Sequence, residues 1–183
     1  MGQIRGAAVV STMEYVMFKN GKEVYKRVLG HLDPRQQKLF RKRMDDHDWI
    51  ELDDFIDFNL AIVREVYDGD KKKLEELGAE SAEYGVNSFV KFFIKFGSVS
   101  FLLKKSTAAF SGYYTSGRVI MDEETKNSVK FLVVNVPDRE NVIAFRVKGF
   151  IGRIVELVGP KVTELTLDIT DNDHSFKIFV KWE

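Results

Sequence analysis

Through the first two thirds of the chain, apolar residues recur at steps of three and four, which predicts mostly helices. Residues 3–10 are small and β-branched, and predict a short strand or an extended arm. A helix is expected over about 12–31, interrupted at Asn20-Gly21, a turn signal. In "DPRQQKLFRKRM", Asp33 can cap, Pro34 suits the first helical position, and Gln36 completes a capping-box pattern. "ELDDFIDFNLAIVREVY" follows, with Leu52, Phe55, Ile56, Val63 and Val66 on one face. Its acidic first turn (Glu51, Asp53, Asp54) complements the helix dipole.

The segment from Lys71 to Phe96 carries one long stripe: Gly78, Ala82, Gly85, Phe89, Phe92 or Phe93, and Phe96. Its first half is small, which lets another backbone approach. Its second half is bulky, and the two together imply a wedge-shaped space. Gly97-Ser98 breaks the pattern, and a further helix with Ser98 as cap presents Phe101, Leu102 and Phe110.

After "YYTSG" the period falls to two. "RVIMD" and "SVKFLVVNV" predict a hairpin around "EETKN". Leu132, Val134 and Val136 alternate with Phe131 and Val133, so the second strand is apolar on both faces. That predicts a central strand covered on both sides, by helices and by a partner subunit. A helix bearing Ile143, Val147, Phe150, Ile154 and Leu157 then stops at Gly159-Pro160. A closing hairpin places Leu165, Leu167 and Ile169, then Phe176, Ile178, Val180 and Trp182, each set on one face. The expected class is α+β, with helices packed on an antiparallel sheet of about four or five strands. We expect a single domain over 1–183, its helical part about 12–114 and its sheet with one helix about 116–183.

Composition narrows the function. Lys+Arg and Asp+Glu cancel at 28 each among 183 residues, so no global field favours nucleic acid or an anionic membrane. The absence of cysteine excludes disulfides, thiolate nucleophiles, Cys-type zinc sites and iron–sulfur clusters. No apolar run approaches the roughly 18 residues needed to span a membrane. "MGQIRGAAVVSTMEY" is broken by Ser11, Thr12 and Glu14 and is no signal-peptide core. A cytoplasmic protein is expected.

Within "GYYTSGRV", the residues Tyr114, Ser116 and Arg118 resemble the haem-propionate clamp of haem-based gas sensors. Such a sensor needs an axial histidine about thirty residues earlier. The three histidines are His31, His47 and His174, and the stretch around Gly85 reads "EYGVNSF", so no haem is expected. "DDHD" (Asp45–Asp48) crowds adjacent side chains that seldom converge on one ion, and "DITDNDHS" lacks the glycine and distal Glu of a calcium loop. No nucleophile elbow, phosphate loop or zinc-hydrolase helix is present. We therefore expect no metal, no cofactor and no catalytic residue. Fifteen Phe are many for this length. They build a core, and they also suit an apolar cavity with Tyr hydroxyls at its rim. Phe89, Phe93, Phe110 and Tyr114 are the expected ligand-binding residues.

"YDGDKKKLEELGAESAEYG", "FGSVSFLLKKSTAAFSGYYTSG" and the terminal "HSFKIFVKWE" together resemble an uncharacterised bacterial family abundant in myxobacteria. The matching positions are Gly69-Asp70, Leu77-Gly78, Ser98 with Phe101 to Leu103, Tyr113-Tyr114, and Trp182-Glu183. That family is similar in turn to the 4-vinyl reductase ligand-sensing domain, the haem-NO/oxygen-binding domain and the TRAPP vesicle-tethering subunits. The resemblance implies an α+β fold enclosing a hydrophobic cavity, and a tendency to form homodimers. It does not carry over zinc binding or palmitoylation, which use cysteines absent here. The expected function is a non-enzymatic sensory or regulatory domain that binds a small hydrophobic ligand and signals through a protein partner. The alternative is an adaptor or scaffold acting as a homodimer without a ligand.

Overall fold

The structure is a computed structural model that describes residues 2–86, 99–170 and 174–183. Strand β1 (Gln3–Arg5) pairs antiparallel with β2 (Trp49–Glu51), Ile4 opposite Ile50. Helix α1 (Gly6–Asn20) starts directly after β1, several residues before the expected position. Burial explains the difference. Ala8, Val9, Ser11 and Thr12 all reach the interior, and packing outweighs the weak strand preference of the Ala-Ala-Val-Val run. Gly21 ends the helix at φ 88°, its N–H donating to the Met17 carbonyl at 3.0 Å.

Helix α2 (Lys22–Gly30) leads to α3 (Pro34–Arg41), where the expected capping box is present. The Asp33 carboxylate accepts from the Gln36 N–H at 2.8 Å, and the Gln36 side chain accepts from the Asp33 N–H at 3.3 Å. Helix α4 (Leu52–Val66) buries Leu52, Phe55, Ile56 and Val63 as its spacing predicts. A short 3-10 turn (Lys71–Lys73) opens α5 (Leu74–Val86). The expectations for Phe89, Phe92, Phe93, Phe96 and Ser98 lie outside the described residues. Helix α6 (Val99–Tyr113) follows. Leu102 and Leu103 fill the core there, whereas Phe101, expected inward, is 38% exposed with Lys105 over its ring.

Strands β3 (Arg118–Glu124), β4 (Ser128–Val134), β5 (Val162–Thr170) and β6 (Ser175–Trp182) form an antiparallel sheet in the order β3-β4-β6-β5. Val129, Phe131 and Val133 lie opposite Val180, Ile178 and Phe176, and these six side chains form the buried inner face. Val119 and Met121 of β3, and Leu165, Leu167 and Ile169 of β5, extend that face to both edges. Strand β4 is central as expected, but its outer residues Leu132 and Val134 stay only partly buried and outside the core cluster. Its two apolar faces therefore differ: one packs on helices, and the other joins Ile120 and Phe179 on a partly exposed surface.

Helix α7 (Val142–Val158) connects the hairpins and lies between the sheet and the other helices. The Asp138 carboxylate caps it, accepting from the N–H groups of Ile143 at 3.0 Å and Ala144 at 2.9 Å. Helices α5 and α7 meet backbone to backbone. A Cβ on Gly78 would stand 1.9 Å from the Arg146 carbonyl oxygen, and one on Gly149 would stand 1.9 Å from that of Glu75. Gly78, in the small half of the sequence stripe, thus makes the close approach that small residues there implied.

Candidate functional site

Beside this seam the packing opens into a cavity of about 100 Å³ between the helical layer and the sheet. Helix α1 contributes Ala7, Ala8 and Ser11, and α5 contributes Gly78, Ser81 and Tyr84. Small side chains on both helices leave the space. Phe110 and Tyr114 form one wall, their rings stacked with centroids 4.4 Å apart. Val119 and Phe131 of the sheet and Val147, Phe150 and Ile151 of α7 complete an apolar lining among the described residues. Two of the four expected site residues are thus brought together here, and Phe89 and Phe93 lie outside the described residues.

The junction after α6 is held in place by β1. The Gln3 N–H donates to the Thr115 hydroxyl at 2.8 Å, and the Thr115 N–H donates to the Gln3 carbonyl at 3.0 Å. This orients Tyr114 inward, and burial pushes its phenol up to about 12.

One polar group in the wall escaped sequence reasoning. Arg146 of α7 is 3% exposed and lines the cavity. Its guanidinium donates to the Asn59 amide oxygen at 2.8 Å, the Thr12 hydroxyl at 3.0 Å and the Ser81 hydroxyl at 2.8 Å. Each acceptor is oriented by its own helix: Asn59 donates to the Phe55 carbonyl, Thr12 to that of Ala8, and Ser81 to that of Leu77. The guanidinium carbon also sits 4.8 Å from the centre of the Phe55 ring. Burial lowers Arg146 to about 10, which leaves it charged at neutral pH. The available signal was its spacing, three residues after Ile143 and four before Phe150, on the edge of the buried stripe.

No family model matches the chain, and no curated protein matches it in sequence. Solved structures do match its fold. The Fe(II) unliganded H-NOX protein from K. algicida aligns with TM-score 0.75 at 10% identity, covering 98% of this chain and 97% of that one. The H-NOX protein from S. oneidensis in the Fe(II)NO ligation state aligns with TM-score 0.75 at 9% identity, covering 98% and 99%. An oxygen-binding H-NOX domain related to soluble guanylate cyclases gives 0.71 at 12% identity, covering 98% and 95%. The chain therefore has the haem-NO-binding fold, an α+β architecture of helices on a four-stranded antiparallel sheet.

The residues present do not fit a haem. Its iron needs an axial ligand; among the described residues no histidine lines the cavity, and burial raises the pKa of each tyrosine there (Tyr84, Tyr113 and Tyr114), which disfavours the phenolate an iron would take. His31 contacts Glu65 at 3.2 Å, His47 contacts Arg5 at 3.5 Å, and His174 lies just before β6 beside a shallow pocket with Asp138. The stretch 87–98 contains no His, Cys, Met or Tyr. The cavity is also smaller than the roughly 150 Å³ that accommodates one benzene, far below a porphyrin. Nor does the Tyr-x-Ser-x-Arg string form a clamp. Tyr114 lines the cavity, but the Ser116 hydroxyl is buried under Gly2 without a partner among the described residues. Arg118 is exposed and opposite Val134, on the outer side of the sheet from Val119.

Among the described residues no cluster of three or more His, Asp or Glu could hold a metal ion. No described helix is long and apolar enough to cross a membrane.

Proposed function

We propose that the chain is a non-enzymatic, cytoplasmic sensory or regulatory domain that binds a small hydrophobic ligand between its helices and its sheet. The observation that carries this reading is the apolar cavity walled by the Phe110–Tyr114 stack. The neighbours of like fold lend support, since their names describe oxygen and Fe(II)NO ligation states. Phe89 and Phe93 are proposed as further wall residues, and 1–183 as one ligand-binding unit. The test is native mass spectrometry of protein purified from its own host, followed by denaturing extraction. A discrete small-molecule adduct lost on denaturation is expected, and a clean apo protein would overturn the reading.

A second reading rests on the outer sheet face, where Ile120 is 39% exposed beside the half-buried Leu132, Val134 and Phe179. On this reading the chain is an adaptor that pairs as a homodimer through that face. Light scattering of the wild type and Ile120→Lys tests it: a dimer that the substitution dissociates supports pairing, and a monomeric wild type rules it out.

A further inference from the structure

Arg146 is out of place in a cavity built for a purely apolar molecule. A buried cation is costly unless paired, and proteins ordinarily bury the counter-charge with it. Here all three described partners are neutral oxygens, which engage three of the five guanidinium N–H donors. No carboxylate forms an ion pair with Arg146 among the described residues, and the stretch 87–98 contains no Asp or Glu. The Phe55 ring stabilises the charge from one side without neutralising it. The cation therefore stands at the wall of a largely apolar space, beside a Tyr114 phenol that stays protonated and can donate.

We propose that the ligand is a short monocarboxylate, its carboxylate paired with Arg146 and its apolar body against Phe110, Phe131 and Ile151. This deepens the proposed function and rests on it: the cavity supplies the apolar contact, and Arg146 supplies the counter-charge. Charge pairing favours an anion over an alcohol of the same length, because only the anion neutralises a guanidinium already stripped of water. Size sets a second limit. A cavity of about 100 Å³ admits about four heavy atoms, taking as scale the roughly 150 Å³ cavity that holds benzene, so the four carbons of butyrate fill it and the two carboxylate oxygens must lie against the Arg146 N–H groups at the wall. A guanidinium alone would bind any small anion; the surrounding apolar wall selects those with a carbon chain.

The experiment is a titration of the full chain with sodium butyrate and, separately, with 1-butanol, read by amide chemical shifts and by calorimetry. Butyrate is expected to bind at least tenfold more tightly, with shifts concentrated at Phe110, Tyr114 and Ile151. Arg146→Met should remove that preference. Equal affinity for butyrate and 1-butanol in the wild type would overturn the role of Arg146 and leave the apolar-cavity reading standing. Binding of neither would overturn both. The wild-type comparison decides the matter even if Arg146→Met does not fold. Undiminished butyrate preference in a folded Arg146→Met protein would also defeat the proposal.

Discussion

Asp54 on α4 and Arg146 on α7 are each 3% exposed, and the two charges have opposite company. Asp54 accepts from both terminal nitrogens of Arg35 and from the Gln36 amide at 3.1 Å. The Arg35 side chain is 66% exposed, so the pair is neutralised while its cation stays hydrated. Burial pulls the Asp54 carboxyl up, but the Arg35 and Gln36 hydrogen bonds outweigh it and leave the pKa lowered. Among the described residues Arg146 has neutral oxygens and a ring for company, and burial lowers its pKa with no described carboxylate to oppose the shift. Asp54 shows how this fold buries a charge for structure: it brings a counter-ion. Among the described residues Arg146 lacks one and borders an open volume, and on that difference the proposed site rests.

The largest expected effect tests what holds Arg146 in place. Leucine at Gly78 would drive a side chain into the Arg146 carbonyl, where even a Cβ stands 1.9 Å away. A helix backbone cannot yield as a side chain does, so Gly78→Leu should cost about 3 kcal/mol. Urea denaturation measures it, and an unchanged midpoint would mean that α5 and α7 are not in backbone contact.

Next comes a paired substitution that sets the two charges against each other. Arg35→Met deprives Asp54 of its counter-charge and should lower the urea midpoint clearly. Arg146→Met removes an unneutralised charge but also leaves the buried Asn59 amide oxygen without its donor; the two effects oppose each other, so the net loss should be smaller than that of Arg35→Met. If Arg146→Met proves the more damaging, Arg146 is a structural pin and the contrast collapses.

Acid titration sharpens the same contrast with a smaller effect. A carboxyl whose folded pKa is lowered contributes stability above its unfolded value, near 3.8, and that stability is lost as pH falls through the folded value. The deficit of Asp54→Asn relative to wild type should therefore be about 2 kcal/mol near neutrality and should close below about pH 4. For Arg146→Met the difference from wild type should not change over that acid range. Denaturant melts at several pH values check both.

Much of this arrangement was legible in residue spacing. The capping box at Asp33, the buried faces of α4 and α7, and both hairpins follow from local pattern, because period and turn chemistry act over a few residues. So did the nearness of Phe110 and Tyr114, four residues apart across the end of α6. The start of α1 was not legible, since Ala8 and Val9 become helical through contacts made elsewhere in the chain. Neither was the one-sided cover of β4, because two apolar faces in sequence do not say which face meets a helix. Arg146 was missed for a related reason. An arginine on a helix is usually solvated, and its acceptors Thr12, Asn59 and Ser81 are 134, 87 and 65 residues away.

The smallest effect lies at high pH, where the cavity's own groups oppose one another. The Tyr114 phenol is raised from 10 to about 12 by burial, so its stabilising contribution is complete below pH 10 and is lost as pH climbs toward 12. Arg146 runs the other way. Its folded value of about 10 lies below that of the unfolded chain, so the native state releases a proton first and gains stability as pH rises past 10. Tyr114→Phe cannot ionise and should flatten the alkaline loss, by no more than about 1 kcal/mol given that the ring is only partly buried. Arg146→Met forfeits the compensating gain and should steepen it. Melts between pH 9 and pH 12 read both slopes, and parallel curves for the two variants would mean that Tyr114 and Arg146 do not share one desolvated space.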